Sequence, residues 1–406
     1  MLRLKLTIFF GVFINFVSAQ NLESLAKLQW LSDFDKLAVE IQARHVKPYG
    51  RVAKDQYYNK ITNLGYSLDD LSVKEKLVEL IRLANFPGDG KTAVQVEQFF
   101  NYYPVDLFWF EGGLRIDKID SQHKKYAGWK VIGIDGKKVS EITPIIHELI
   151  PPGENIYYKL KWDQKWLRNA DILNIEGITK SADHAIYTLQ DDNGNIENVT
   201  FNAISFDQYS EIEWTPAYLP DPRFMRAHNK DYSITVYDEF TVFMNLKKYP
   251  PEVIVKEETE KLLDILSNVG YTHLIIDIRG NDDSHEGGID YLIKKLSKTD
   301  FNDYGIVYVI TDRDTFGNAF LDIFKMKEDL GALVVGEPPA QNPNGYEIGF
   351  TDLLPNSKIR YTIGGSIDKL QEEEGDLLIM HQLINPHFQK RKDRVDEVMD
   401  WISSQP

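Results

Sequence analysis

Between residues 21 and about 90, apolar positions recur at three- and four-residue steps. In LESLAKLQWLSDFDKLAVEIQARH, the residues Leu22, Leu25, Leu28, Leu31, Phe34, Leu37 and Ile41 form one stripe, which predicts an amphipathic helix. SVKEKLVELIRLA predicts another, opened by Ser72 as N-cap with Glu75 three residues on. NFPGDGKT interrupts the pattern with Pro87, Gly88 and Gly90. From about 93 to 215 the period falls to two. PVDLFWFEGGLRIDKID and GWKVIGIDGKKVSEI predict short strands with a turn at Gly112-Gly113 and a hairpin turn at Asp135-Gly136, and EITPIIHELI predicts a helix behind them. Further on, THLIIDIRG, YGIVYVITD and LGALVVGEP are apolar on both faces and alternate with the helical stretches GGIDYLIKKLS and FLDIFKMKEDL. That alternation predicts an α/β core with largely parallel pairing.

A chain of 406 residues is long enough for two or three such units, each with its own core. The start adds a further element. MLRLKLTIFFGVFINFVSAQ has Arg3 and Lys5, an apolar run from Leu6 to Val17 and the small-residue site Val17-Ser18-Ala19, the pattern of a secretory signal peptide over residues 1–19. The mature chain is expected to be exported, periplasmic or extracellular, with no integral span after cleavage. Without cysteine, disulfides, thiol nucleophiles and thiolate metal sites are excluded. Without Arg3 and Lys5, the remaining 44 basic against 62 acidic residues put the net charge at −18 rather than −16. Such a surface repels nucleic acid, and no basic patch with interleaved aromatics offsets it.

Three strands of the α/β core end in polar turns, and ligands of parallel α/β sheets gather beyond the carboxyl ends of strands. The turns are RGNDDSHEGG, TDRDTFGNAF and GEPPAQNPNGYE. TDRDTFGNAF has the strand, tight turn and helix on which many hydrolases mount a nucleophile, yet it offers Gly317 and Asn318. An amide nitrogen has a delocalised lone pair, so no base turns Asn318 into a nucleophile. Thr315 is the nearest hydroxyl on the same turn, too far along the chain to take its place. Ser284 and His285, beside Asp282 and Asp283, are the one Ser, His and Asp cluster, and adjacent positions on an extended backbone point apart, which reads as a solvated turn. His45, His147 and His381 show no paired ligand spacing, so no metal site is expected, and no cofactor motif is present.

The order of these motifs resembles that of the tail-specific, or C-terminal-processing, serine peptidases, which are related to the tricorn core peptidase. The resemblance runs over nearly all of the mature chain, through GDGKT, GWKVIGIDGKKV, LIIDIRGN, VYVITDRDTFGNAF, LGALVVGEP and LLPNS. It implies a ClpP/crotonase-like spiral ββα core, an N-terminal helical region and a PDZ-like β-rich module. The expected division is 20–92 helical, 93–215 PDZ-like with connecting strands, and 216–406 core. It also implies a serine where Asn318 stands, with Gly317 beside it, and a histidine base where GDGKT has Lys91. In the branch with a lysine base, that lysine belongs in the turn after GEP, where PAQNPNGY has none. Lys91, without a nucleophile to activate, reads as a solvated loop lysine. Glycines that help hold the oxyanion give way to Asp282 and Asp283. A carboxylate about 4 Å from a developing oxyanion opposes it by roughly 4 kcal/mol at an effective dielectric near 20.

The expectation is an exported homologue of these peptidases that is proteolytically inactive and binds a polypeptide or protein through the PDZ-like groove or the former active-site cleft. Two alternatives stand beside it: an active serine endopeptidase using Ser284, His285 or Thr315, and a structural or partner-organising exported protein.

Overall fold

Three helices lead the chain: α1 (Lys27–Arg44), α2 (Lys54–Ser67) and α3 (Val73–Ala84). The computed structural model describes residues 22–219, 231–267, 270–282, 288–372 and 374–405, so the leader 1–19 lies outside the described residues. Helix α1 buries Phe34, Leu37 and Ile41 of the predicted stripe together with Trp30 and Ala38, whereas Leu28 is exposed and Leu22 and Leu25 precede the helix, so the buried face is rotated from the one the leucine spacing predicts. Ser72 and Glu75 close the predicted box at the start of α3: the Glu75 N–H donates to Ser72 Oγ, and the Ser72 N–H donates to the Glu75 carboxylate.

A short strand β1 (Ala93–Val94) leads into an antiparallel sheet of β2 (Val105–Phe110), β3 (Gly113–Asp120), β4 (Lys130–Ile134), β5 (His184–Gln190), β6 (Ile196–Asn202) and β7 (Trp214–Pro216). Its order is β7-β3-β4-β5-β6, with β2 also on β3 and the two-residue strand Lys137–Lys138 on β4. Asp135 and Gly136 have φ of 47° and 82°, the left-handed pair that a two-residue hairpin turn requires. Helices α4 (Val139–His147) and α5 (Ile156–Trp166) fill the connection from β4 to β5.

The second sheet holds β8 (Tyr232–Val236), β9 (Thr241–Leu246), β10 (His273–Asp277), β11 (Ile306–Thr311) and β12 (Leu333–Gly336) in chain order. Strands β9 to β12 are parallel and β8 is antiparallel to β9. The connecting helices α6 (Glu252–Leu266), α7 (Asp290–Leu296) and α8 (Asn318–Leu330) cover one face, where Val242, Met244, Leu274, Ile276, Val307 and Val309 are buried. Their chain neighbours Phe243, Ile275, Tyr308 and Ile310 point to the other face, against Val398, Met399 and Ile402 of α9 (Glu397–Ser403). Burial on both sides explains why these strands read as unbroken apolar runs.

After β12 the chain returns to its beginning. Hairpin strands β13 (Tyr346–Leu353) and β14 (Arg360–Ile367) extend β1, with Ala93 opposite Thr362 and Val94 opposite Tyr361. Tyr361 and Ile363 are buried in the same core as α1, α3 and the antiparallel sheet. The Thr362 hydroxyl donates to the Lys91 carbonyl at 2.6 Å, and the Gly364 N–H donates to Thr92 Oγ1 at 2.9 Å. The hairpin thereby pins the GDGKT turn from a sequence distance of 271 residues. Among the described residues no helix is long and apolar enough to cross a membrane.

Candidate functional site

Strand β11 ends at Thr311, and the next six residues form the turn that launches α8. Asp312 organises it, because its Oδ1 accepts N–H groups from Gly280 at 2.9 Å and from Asp314 and Thr315 at 3.0 Å. Burial first, then the neighbouring Asp314 carboxylate, push the Asp312 carboxyl up to about 6. Gly317 caps the helix at φ 64° and ψ −134°. A side chain in that region costs about 1–3 kcal/mol, so the kink itself carries none and 318 is the first position beyond it to present one. The half-buried Asn318 occupies it.

The three polar turns meet around this kink. The Phe316 N–H donates to the Asn281 carbonyl at 2.9 Å, which joins the RGN turn, and the Gly317 N–H donates to Gln341 Oε1 at 3.0 Å, which joins the turn after GEP. From the other core, Lys91 Nζ stands 3.8 Å from the centroid of the Phe316 ring. Lys161 of α5 pairs with Asp314 at 2.9 Å and lies 5.6 Å from the same ring. The structure thus gathers Lys91, Asn281, Gly317, Asn318 and Gln341 at one place.

Lys91 corrects an expectation. It is not a solvated loop lysine: it is 8% exposed. Asp89 Oδ1 accepts its N–H at 2.9 Å, Thr362 holds its carbonyl, and the Phe316 ring takes its ammonium. Burial lowers the Lys91 ammonium to about 8 against the opposing pull of Glu154, Glu347, Asp89 and Asp368. Glu154 is itself buried and accepts the Gly90 N–H at 2.8 Å, and that burial raises its carboxyl. A lysine so placed is an enclosed cation that gives up its proton more readily than a surface lysine.

The other sequence candidates divide. Thr315 is fully buried, its hydroxyl donating to the Ile278 carbonyl at 3.1 Å and accepting the Asp312 N–H at 3.2 Å. It is a fixed part of the turn and is not presented to the cleft. Asp282 is exposed, so water screens the carboxylate that was expected to oppose an oxyanion. Asp283, Ser284 and His285 lie outside the described residues.

Two groups escaped sequence reading. Behind Lys91, His45 Nδ1 accepts the Lys47 N–H at 2.9 Å, which assigns the proton to Nε2, and Nε2–H donates to Asp89 Oδ2 at 2.8 Å. Nothing local signals this pair, since 44 residues separate its members. On the near side, Arg313 is 2% exposed and forks onto Glu337, Gln164 Oε1 and the Trp109 carbonyl. It ties the turn to α5 and to β2.

No known protein family matches the chain by sequence, and no curated protein does. Solved structures match throughout. Mature CPAF complexed with lactacystin superposes at a TM-score of 0.62 over 93% of this chain and 97% of that one, with 12% identity. A second structure of mature CPAF gives 0.61 over 93% and 96%, again with 12% identity. The chain has the fold of mature CPAF. The photosystem II D1 C-terminal processing protease, at 0.41, 11% identity and 89% and 94% coverage, is also among the similar structures. The resemblance to tail-specific peptidases read from the motif order is thus borne out at the level of the fold, and the chemistry rests on this chain's own residues.

Those residues offer a kinked platform, a buried amine and a carboxamide. The amine can accept a proton, but the carboxamide gives it none to accept on the way to a covalent bond.

Proposed function

We propose that the protein is an exported, proteolytically silent relative of the tail-specific peptidases that binds extended polypeptide beside the Gly317 kink. One observation carries the reading: the side chain mounted on that kink is the carboxamide of Asn318. Loss of such a nucleophile lowers turnover by about a millionfold even when every other group remains. The remaining hydroxyl of the turn, on Thr315, is committed to two hydrogen bonds. Lys91 fits the base position of the family and Gln341 fits the second base turn; neither has a nucleophile to serve. Asp282, at the exposed rim, adds little either way. In this reading β2 to β6 form a PDZ-like module, the parallel sheet is a ClpP/crotonase-like core, and polypeptide lies between them without being cut.

The helical region cannot be separated from that module by deletion. Helix α3 packs against β1 and against the helix Ala170–Ile175, which lies in the connection from β4 to β5, so deleting the module removes part of the packing of α3. The intact mature chain is therefore the one to test. With fluorescently labelled casein as an unstructured polypeptide, anisotropy is expected to rise saturably while electrophoresis shows the casein whole after prolonged incubation. Casein fragments that accumulate in proportion to protein would contradict the silent reading, and no anisotropy change would contradict polypeptide binding.

A further inference from the structure

A second concavity is bordered by Asp312 and Asp314 of the turn, between the carboxyl ends of the parallel strands and the antiparallel sheet. Its volume is about 440 Å³, within the range of small-molecule sites. One wall is aromatic: Phe108 and Phe110 stand 4.7 Å apart, and the Tyr218 ring is 6.2 Å from Phe110. The rest is charged, and most charges there are matched within the protein. Arg279 pairs with Asp277 and Asp396, Glu337 with Arg313, and Asp314 with Lys161.

Two groups of opposite sign keep unused hydrogen-bonding capacity among the described residues. Asp117 Oδ1 is buried without a hydrogen-bond partner among the described residues. Burial raises its carboxyl, and the Lys118 charge, the Tyr218 hydroxyl beside the carboxylate and the Arg391 charge lower it less. The guanidinium of the half-buried Arg391, which lines the same cavity, makes no ion pair or hydrogen bond with a described residue. Lys247, which is exposed and lines the same cavity, adds a second cation without an ion pair among the described residues. Arg391 is near enough to Asp117 to affect its titration, but the two do not touch. A buried carboxylate oxygen without a partner and a guanidinium without a direct contact among the described residues, lining one aromatic-walled cavity, leave hydrogen bonds for a ligand to complete.

We infer that this cavity binds a free zwitterionic ligand of dipeptide size with an apolar side chain: its ammonium meets Asp117, its carboxylate meets Arg391, and its side chain lies on Phe108 and Phe110. The geometry asks for both charges. A carboxylate alone would satisfy Arg391 and leave Asp117 Oδ1 without a partner among the described residues, and an amine alone would leave Arg391 without one. Guanidinium and carboxylate match as a planar fork, which selects a carboxylate over a neutral amide. The site does not depend on the Asn318 reading, since it shares no side chain with Gly317, Asn318, Lys91 or Gln341.

Titration calorimetry of the intact mature chain with leucyl-phenylalanine tests this without any substitution. The free dipeptide is expected to bind saturably, and its N-acetyl form and its C-terminal amide are each expected to bind at least about tenfold more weakly, since each loses one charged hydrogen bond. Arg391→Met, at a half-exposed position, is expected to abolish the preference for the free acid over the amide while its thermal midpoint stays near that of the parent. Asp117→Asn is expected to abolish the preference for the free amine over the acetylated form. The inference is overturned if the free dipeptide gives no saturable heat, if both blocked forms bind as tightly as the free one, or if the preferences survive both substitutions. Casein binding at the other cleft is measured separately, so either result can fail alone.

Discussion

Arg313→Met is expected to destabilise the chain by about 3–5 kcal/mol, read from the shift of its urea unfolding midpoint. Its guanidinium forks onto the Glu337 carboxylate, donates to Gln164 Oε1 at 3.1 Å and to the Trp109 carbonyl at 2.8 Å, and stands 4.2 Å from the centroid of the Phe108 ring. Methionine fills much of the stem's volume but supplies none of these donors. Glu337, 4% exposed, is then left with the Arg313 N–H at 3.2 Å for a buried negative charge. That stranded charge, rather than the loss of attraction, is the larger part of the cost. Arg313→Lys is expected to recover little, because a single ammonium cannot reach Glu337, Gln164 and Trp109 from one place. A midpoint unchanged in Arg313→Met would mean that the turn is held by other contacts.

Asp396→Ala is expected to cost about 3–5 kcal/mol at neutral pH. Asp396 caps α9 by accepting the N–H groups of Val398 and Met399, and it takes Arg279 at 2.8 Å while Asp277 takes the same guanidinium at 2.6 Å. Its removal frays the helix whose Val398, Met399 and Ile402 cover the second face of the sheet. The pH dependence has a definite sign. Burial disfavours the Asp396 charge, but Arg279, with Arg391 behind it, outweighs burial and holds the carboxyl well below the ordinary aspartate range. A depressed folded value means that this stabilisation is complete above the unfolded aspartate range near 4 and is lost as pH falls through the folded value. The gap between parent and Asp396→Ala is therefore expected to be constant from pH 7 to about 5 and to narrow steadily below about 4. A gap that widened in acid would contradict the assignment.

Much of this architecture is visible in the sequence because it is encoded locally. The Phe34, Leu37 and Ile41 spacing of α1, the Ser72 and Glu75 box, the Asp135-Gly136 turn and the two-sided apolar strands each need only neighbours a few residues away. The strand, turn and helix around Gly317 belong with them, since a glycine between a polar turn and an amphipathic run marks its own kink. What the sequence conceals is set by pairing at long range. Lys91 looks solvated in GDGKT, and it is buried because Thr362 and Phe316 close over it from elsewhere in the chain. His45 and Asp89, or Arg313 and Gln164, are neighbours only after the hairpin β13–β14 and helix α5 have docked. Arg313 in particular reads as one more charge in TDRD, although it is among the most buried charged residues of the turn. Asp282 errs in the opposite direction: its place in the motif suggested an enclosed carboxylate, and it faces water.

In the proposed reading, the kink, Lys91 and Gln341 surround a position 318 whose side chain lacks an atom that can attack. Intact-mass measurement after exposure of the mature chain to a broad-spectrum fluorophosphonate, beside a working serine hydrolase as reference, addresses that claim most directly. The mass is expected to stay unchanged while the reference is fully labelled. A stoichiometric phosphonyl adduct would contradict the account, and peptide mapping of that adduct would locate the nucleophile.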